Sequence, residues 1–338
     1  MTRKQLIIGI FSIVIAAAVF VFINAFSQTD PVVNTVEKEY RGDHGLIQNY
    51  PGAAGEAEYL SEAEGLYLEY LLLTGRKELF RDEVERLEPL LQKVPSGKLV
   101  QWKEGDNTST NALIDDVRIA SALDRAGAQF NNHSYTELSK SIQDGLRAGN
   151  FVEGSWRDYY DWQQDEASPE IHFSYFSSEK WKQFGWPQEE LQIIQRAKDS
   201  SSVFYLESYN AVKRQPEAYN LQEVNMIDQV LIMQQMNTEA PETEALAQWI
   251  DKKYEEEGKI YGRYHRTSEK ASVNYEAASV YALLLIQEID DGNIQEAEKW
   301  EEPLRGLHEA ADPSENTHFF DYMLAAIALE RLEQAKNS

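Results

Sequence analysis

Ala277-Ala-Ser-Val-Tyr-Ala-Leu-Leu-Leu-Ile286 and Met323-Leu-Ala-Ala-Ile-Ala-Leu329 are the stretches whose reading decides the fold. Each is apolar at nearly every position. A helix on the surface of a globular protein carries one apolar stripe, so a helix apolar on most faces must be covered on all of them. Outward from these stretches, helical periodicity dominates from about Gly52 to the C-terminus, and strand alternation is nearly absent. Helices are expected near 53–74, 77–93, 109–127, 134–149, 169–184, 188–211, 217–236, 241–257, 270–288, 293–311 and 315–335. Breakers fall between them at Gly75, Pro95-Ser96-Gly97, Gly154, Pro187, Gly262, Asp291-Gly292 and Pro313. The fold class is therefore all-α, built of stacked helix pairs. An open solenoid should show a fixed-period motif, and none of tetratricopeptide or armadillo type is present. The expected architecture is a closed (α/α)6 barrel, six inner helices ringed by six outer ones.

The N-terminus reads differently. Arg3 and Lys4 precede Leu6 to Phe26, apolar but for Gly9, Ser12 and Asn24. At 1.5 Å per residue, such a helix spans a bilayer core. Positive charge before it keeps residues 1–5 in the cytoplasm and puts the remainder outside. The expectation is an uncleaved signal-anchor over 6–26, with cleavage and secretion as the alternative. Residues 27–45 read as a polar linker and 46–338 as the folded domain. The 338 residues carry 57 Asp+Glu against 32 Lys+Arg, a net charge of −25. Nothing in that balance would neutralise a run of phosphates, which excludes nucleic acid as a partner. There is no cysteine, so disulfides, thiolate metal sites and cysteine nucleophiles are excluded. The six His residues form no metal spacing, and no cofactor motif is present.

Three acidic stretches carry the candidate chemistry. In Leu60-Ser-Glu-Ala-Glu-Gly-Leu66, Glu62 has Leu60, Leu66 and Tyr59 as helical neighbours, which suggests a covered face; a solvated face is the commoner fate of a helical Glu. In Asn111 to Leu123, Asp115 and Asp116 precede an apolar run, where the helix dipole alone would favour them. Asp228 sits among Met226, Ile227, Val230 and Leu231, a costly place for a carboxylate without a partner. The aromatic run Trp156-Arg-Asp-Tyr-Tyr-Asp-Trp162 is either core packing or a platform for pyranose rings.

These stretches resemble glycoside hydrolase family 8. Ser61-Glu-Ala-Glu-Gly65 resembles the family's Ser-Glu-Gly-x-Gly motif, whose Glu is the general acid. Ala112 to Ala120 resembles its Ala-Thr-Asp-Gly-Asp-x-Asp-Ile-Ala signature, which leaves Asp115 and Asp116 both as candidates for holding the sugar at the cleavage point. Trp102 matches the aromatic that lines the family's cleft, Ser174-Tyr175-Phe176 its Ser-Tyr-Phe segment, and Phe320 to Leu324 its closing Tyr-Tyr-x-x-x-Leu helix. Asn225 to Val230 resembles the segment that carries the general base, here Asp228, although the Arg that precedes it in the family is absent. The resemblance covers roughly 46–335 and is nearest the branch found with Gram-positive exopolysaccharide operons. It implies an extracytoplasmic, inverting, endo-acting glycosidase that cuts a β-linked exopolysaccharide. Glu62 would be the acid and Asp228 the base, with Asp115 or Asp116 on the sugar and Trp102, Tyr159, Tyr160, Tyr175 and Tyr275 as sugar-binding aromatics. Neither metal nor cofactor is implied; a monomer is expected, with the polysaccharide, the membrane and exopolysaccharide synthase machinery as partners. The alternatives are an inactive glycan-binding scaffold and a helical-repeat interaction protein.

Overall fold

The computed structural model describes residues 30–51, 58–105, 107–236, 244–313 and 317–337. The expected span at 6–26 lies outside these residues; among the described residues no helix is long and apolar enough to cross a membrane. The described residues are mostly helical. We number the α-helices α1 (Pro31–Thr35, continued by a π-helical turn Val36–Tyr40), α2 (Ser61–Leu73), α3 (Lys77–Leu87), α4 (Leu113–Gln129), α5 (His133–Gly149), α6 (Ser178–Phe184), α7 (Met226–Gln235), α8 (Glu244–Glu257), α9 (Ala278–Asp290), α10 (Ile294–Ala310) and α11 (Phe319–Lys336). A 3-10 helix, Gln188–Ala197, lies between α6 and α7.

Neighbour contacts close a ring. α2 packs on α4, α4 on α6, the 3-10 turn Phe173–Tyr175 just before α6 packs on α7, α7 on α9, α9 on α11, and α11 back on α2. The other helices lie outside: α3 on α2, α5 on α4, the Gln188–Ala197 helix on α6 and α7, and α10 on α9 and α11. Among the inner helices α9 and α11 are apolar on most faces. α9 buries every residue from Ser279 to Leu285, and α11 buries Phe319, Tyr322 to Leu329 and Leu332. The outer helices bury one stripe: α3 buries Phe80, Glu83 and Leu87, and α10 buries Ala297, Trp300 and Leu304. The period is that of an amphipathic helix with one covered side. Ring closure disposes of the open solenoid.

Three expectations need correction. First, the segment read as a linker is folded from Asp30 onward. Val36, Tyr40 and Ile47 are fully buried. The Tyr40 ring meets Phe319 and Tyr322 of α11 at 5.0 and 5.6 Å. Second, strands are not absent. A short hairpin occurs at Leu91–Val94 with Gly97–Val100, Glu223–Asn225 pairs antiparallel with the distant Arg263–His265, and Glu170–His172, Ser208–Asn210 and Gln215–Glu217 form a three-stranded sheet. Third, several helices start later or end sooner than expected. α3 stops at Leu87 as Pro89 approaches, because proline disfavours helix in the residue before it. α6 starts only at Ser178, capped by the Ser177 hydroxyl, and α7 only at Met226, capped by Asn225.

A buried charge network locks α1 to the barrel. Arg41 bonds Glu83 of α3 at 2.7 and 3.0 Å and Glu37 at 2.6 Å. Glu64 of α2, 1% exposed, accepts from the Ile47 amide at 2.8 Å. Burial, then the neighbouring charge of Glu83, holds Glu64 well above the usual carboxylate range. Burial pushes Glu83 the same way, but the Glu64 proton and Arg41 outweigh it and Glu83 stays below its ordinary value. The fold therefore favours a proton on Glu64 and an ionised Glu83. Because the fold favours protonated Glu64, its contribution is full below the ordinary Glu range of about 4.3 and declines as pH rises above it. Glu64→Gln supplies an amide donor toward Glu83 and keeps the acceptor for Ile47. The variant should match the parent near pH 5 and melt higher by about 2 °C or more near pH 8. A variant less stable than the parent at both pH values would contradict a protonated Glu64.

Candidate active site

The inner helices bring their N-termini to one end of the ring, and the acidic residues lie in their first turns. Glu62 is the second residue of α2, Asp115 the third of α4, Asp228 the third of α7 and Asp321 the third of α11. Helix N-termini carry partial positive charge, which makes them tolerant of carboxylates. Gly65 of α2 faces α4: a Cβ there would come within 3.2 Å of the Arg118 and Ile119 side chains. The missing side chain leaves room for Arg118 beside Asp115.

Asp115 is 4% exposed and held at each oxygen, accepting from the Ser61 hydroxyl at 2.9 Å and Arg118 at 3.0 Å. Glu62 is partly exposed, and its carboxyl is pushed up to about 7. Burial is the main cause, the Asp115 charge adds to it, Arg118 opposes it, and Asp321 adds a smaller increment. Across the ring, burial raises Asp228, while the Ser174 hydroxyl, His172 and Arg263 pull it back. The Tyr175 phenol lies between these groups. After burial, the charges of Asp158, Asp115, Asp228 and Glu62 together hold it far above its ordinary value. One hydroxyl therefore senses all four carboxylates, which puts each within electrostatic reach of Tyr175.

The adjacent pair left open by the sequence divides here. Asp116 is fully buried and accepts from the Val100 amide at 3.2 Å and from the Asn111 amide at 3.0 Å. It anchors the Leu91–Val100 hairpin to α4 and is closed off from solvent. That hairpin in turn lies backbone to backbone on α5: a Cβ at Gly145 would sit 2.1 Å from the Lys98 carbonyl oxygen.

The aromatics also divide. Trp102 is 37% exposed, and its carbonyl accepts from the Ser61 amide at 2.9 Å, beside Glu62. Tyr159, 40% exposed, follows Asp158, whose carbonyl accepts from the amide that opens α4. Tyr275 is half exposed and packs on Gly262. With Tyr50, Glu276, His308, His318 and Asp321 it lines a cavity of about 400 Å³ at the same end of α9 and α11. Tyr160 is held otherwise: its hydroxyl donates to Asp165 at 2.5 Å and its ring lies over Gly149. Trp156 is core, stacked on Trp186 at 4.7 Å.

Asp158, His172, Arg263, Arg118 and Asp321 escaped the sequence reading. Arg263 lies opposite Asn225 in a two-stranded antiparallel sheet, so a cation reaches Asp228 from a neighbouring strand rather than from the residues before it. No periodicity or motif in the sequence announces that pairing. Among the described residues, no cluster of His, Cys, Asp or Glu could hold a metal ion.

No protein-family model matches the chain. Among curated proteins it is 28% identical over 325 residues to YdaJ of Bacillus subtilis (strain 168), covering 90% of this chain and 88% of that protein. Among solved structures, PssZ from Listeria monocytogenes is 29% identical and superposes with a TM-score of 0.80, covering 89% of this chain and 94% of PssZ. The endoglucanase Cel10 of Klebsiella pneumoniae, a family 8 glycosyl hydrolase, superposes with a TM-score of 0.65 at 15% identity, covering 91% of this chain and all of Cel10. The chain has the family 8 glycoside hydrolase fold. In this family 8-like ring the end at which Glu62, Asp115 and Asp228 converge is the candidate active site.

Proposed function

We propose that the chain is a glycoside hydrolase that cleaves a polysaccharide with inversion, outside the cytoplasmic membrane. The observation that carries this is the unequal treatment of two carboxyls at one end of the ring. Glu62 keeps its proton to about pH 7, while Asp228 is tempered by Ser174, His172 and Arg263. Such a pair supplies an acid for the leaving oxygen and a base for water on the opposite face of the sugar. Asp115, fixed by Ser61 and Arg118, would hold the sugar between them, and Trp102, Tyr159 and Tyr275 offer exposed ring faces. The 6–26 segment, with Arg3 and Lys4 before it, supports an external location. An inactive scaffold would have no need of a protonated Glu62 beside bonded carboxylates, and the Arg missing before Asp228 has a substitute in Arg263.

The full chain should release reducing ends from at least one member of a panel comprising the host's exopolysaccharide, carboxymethylcellulose, chitosan, xylan and starch. Above about pH 7 the rate should fall by about tenfold per unit as Glu62 loses its proton. On the acid side it should fall before the ordinary carboxylate range is reached, because burial raises Asp228. No release from any polymer between about pH 4 and about pH 8 would count for the scaffold instead.

A further inference from the structure

His172 and Asp158 form a hydrogen-bonded pair. Asp158 is 8% exposed and accepts twice from the same residue, at 2.7 Å from the His172 amide and at 2.7 Å from its Nδ1. Two bonds from one carboxylate fix both the backbone and the ring of His172. The ring is flanked by Tyr175 and Tyr219, each at 5.4 Å between centroids. With Nδ1 engaged, only Nε2 is left to face outward. His172 ends the strand Glu170–His172, two residues before Ser174, whose hydroxyl reaches Asp228. Tyr219 is 77% exposed, so its ring covers the imidazole from the solvent side.

We propose that Asp158 and His172 are positioning residues for the base, a clamped imidazolium that holds positive charge against Asp228 while Arg263 does the same from the strand paired with Glu223–Asn225. The inference rests on the assignment of Asp228 as the base. The groups facing His172 are Asp158, Asp228, Glu170, Tyr175 and Tyr219. Those facing Asp228 are Ser174, His172, Arg263, Glu207 and Tyr175. Burial would strip the proton from His172, but the Asp158 bond and the charges of Asp158, Asp228 and Glu170 outweigh it and keep the ring charged above its ordinary range. An opposite charge within about 4–6 Å typically moves a carboxyl by 1 unit or more. Linkage is reciprocal: if His172 stabilises ionised Asp228, Asp228 must stabilise charged His172 to the same extent.

The test uses the full chain and needs no ligand. Imidazole signals are titrated by NMR in the parent and in Asp228→Asn, with His172→Asn identifying the His172 resonance. The His172 midpoint should be lower in Asp228→Asn by roughly 1 unit, and its neutral form should carry the proton on Nδ1. An unchanged midpoint overturns the proposal. A second arm follows rate against pH on whichever polymer of the panel the parent degrades. His172→Asn retains a donor for Asp158 but removes the charge, so the acidic limb should move upward by roughly 1 unit. A loss of rate with the limb unmoved would mean a merely structural residue, and would also overturn the proposal. Should the parent degrade no polymer, the functional reading falls, while the NMR midpoint still decides whether His172 and Asp228 are coupled.

Discussion

Glu62→Gln should lower the rate of glycan hydrolysis by at least ~10²-fold, the low end for loss of general acid catalysis. The amide keeps the size and hydrogen bonding of the side chain but has no acid proton to give. The same substitution should stabilise the fold at higher pH. In the fold Glu62 is raised to about 7, whereas an unfolded Glu ionises near ~4.3. Between those values the folded chain binds more protons than the unfolded chain, so stability from this group declines as pH rises. Removing the titration removes the decline. The variant should therefore melt above the parent near pH 8 while losing activity, the trade-off expected where a site is held in an unfavourable state for its chemistry. Initial rates and melting curves on the same preparations check both halves. A variant that retains activity within a few-fold removes Glu62 from the mechanism.

Asp228→Asn should be equally damaging, at least ~10²-fold in rate, for the complementary reason. The carboxylate that takes a proton from water becomes a neutral amide that cannot. Asp228 is only partly buried at the start of α7, and the amide can still accept from Ser174, so the variant should fold. Because the parent's acidic limb belongs to Asp228, the residual activity of the variant should lose that limb and keep the alkaline one. Small anionic nucleophiles such as azide, which need no base, should recover part of the rate. Residual activity with both limbs intact would place the base elsewhere.

How much of this was legible in the sequence differs by element. The inner helices were plain because α9 and α11 are apolar on faces that only a surrounding ring can cover. The hairpins were invisible because strands of two to four residues are too short for alternation to register against a helical background. The α1 segment looked like a tether because its surroundings are polar and carry Pro31, Gly42 and Gly45. What folds it is the pairing of Arg41 with Glu83, more than forty positions away. The acidic candidates Glu62, Asp115 and Asp228 were found because carboxylates within apolar runs are conspicuous. Asp115 could not be separated from Asp116 by spacing, since the choice depends on which one the Val100 amide and Asn111 engage. Arg263 and His172 were missed for a similar reason: each reaches Asp228 by a strand pairing or a turn that no local pattern encodes.

The central claim is that Glu62 and Asp228 act from opposite faces of one sugar with a water between them. An inverting pair stands roughly 6.5–9.5 Å apart, a retaining pair nearer 5–5.5 Å. The most direct measurement is a proton NMR time course of hydrolysis by the unmodified chain, begun before mutarotation scrambles the product. The first reducing-end signal should have the anomeric configuration opposite to that of the bond cut. A first product with the configuration retained would contradict the account, because it would make one of the two carboxyls a nucleophile.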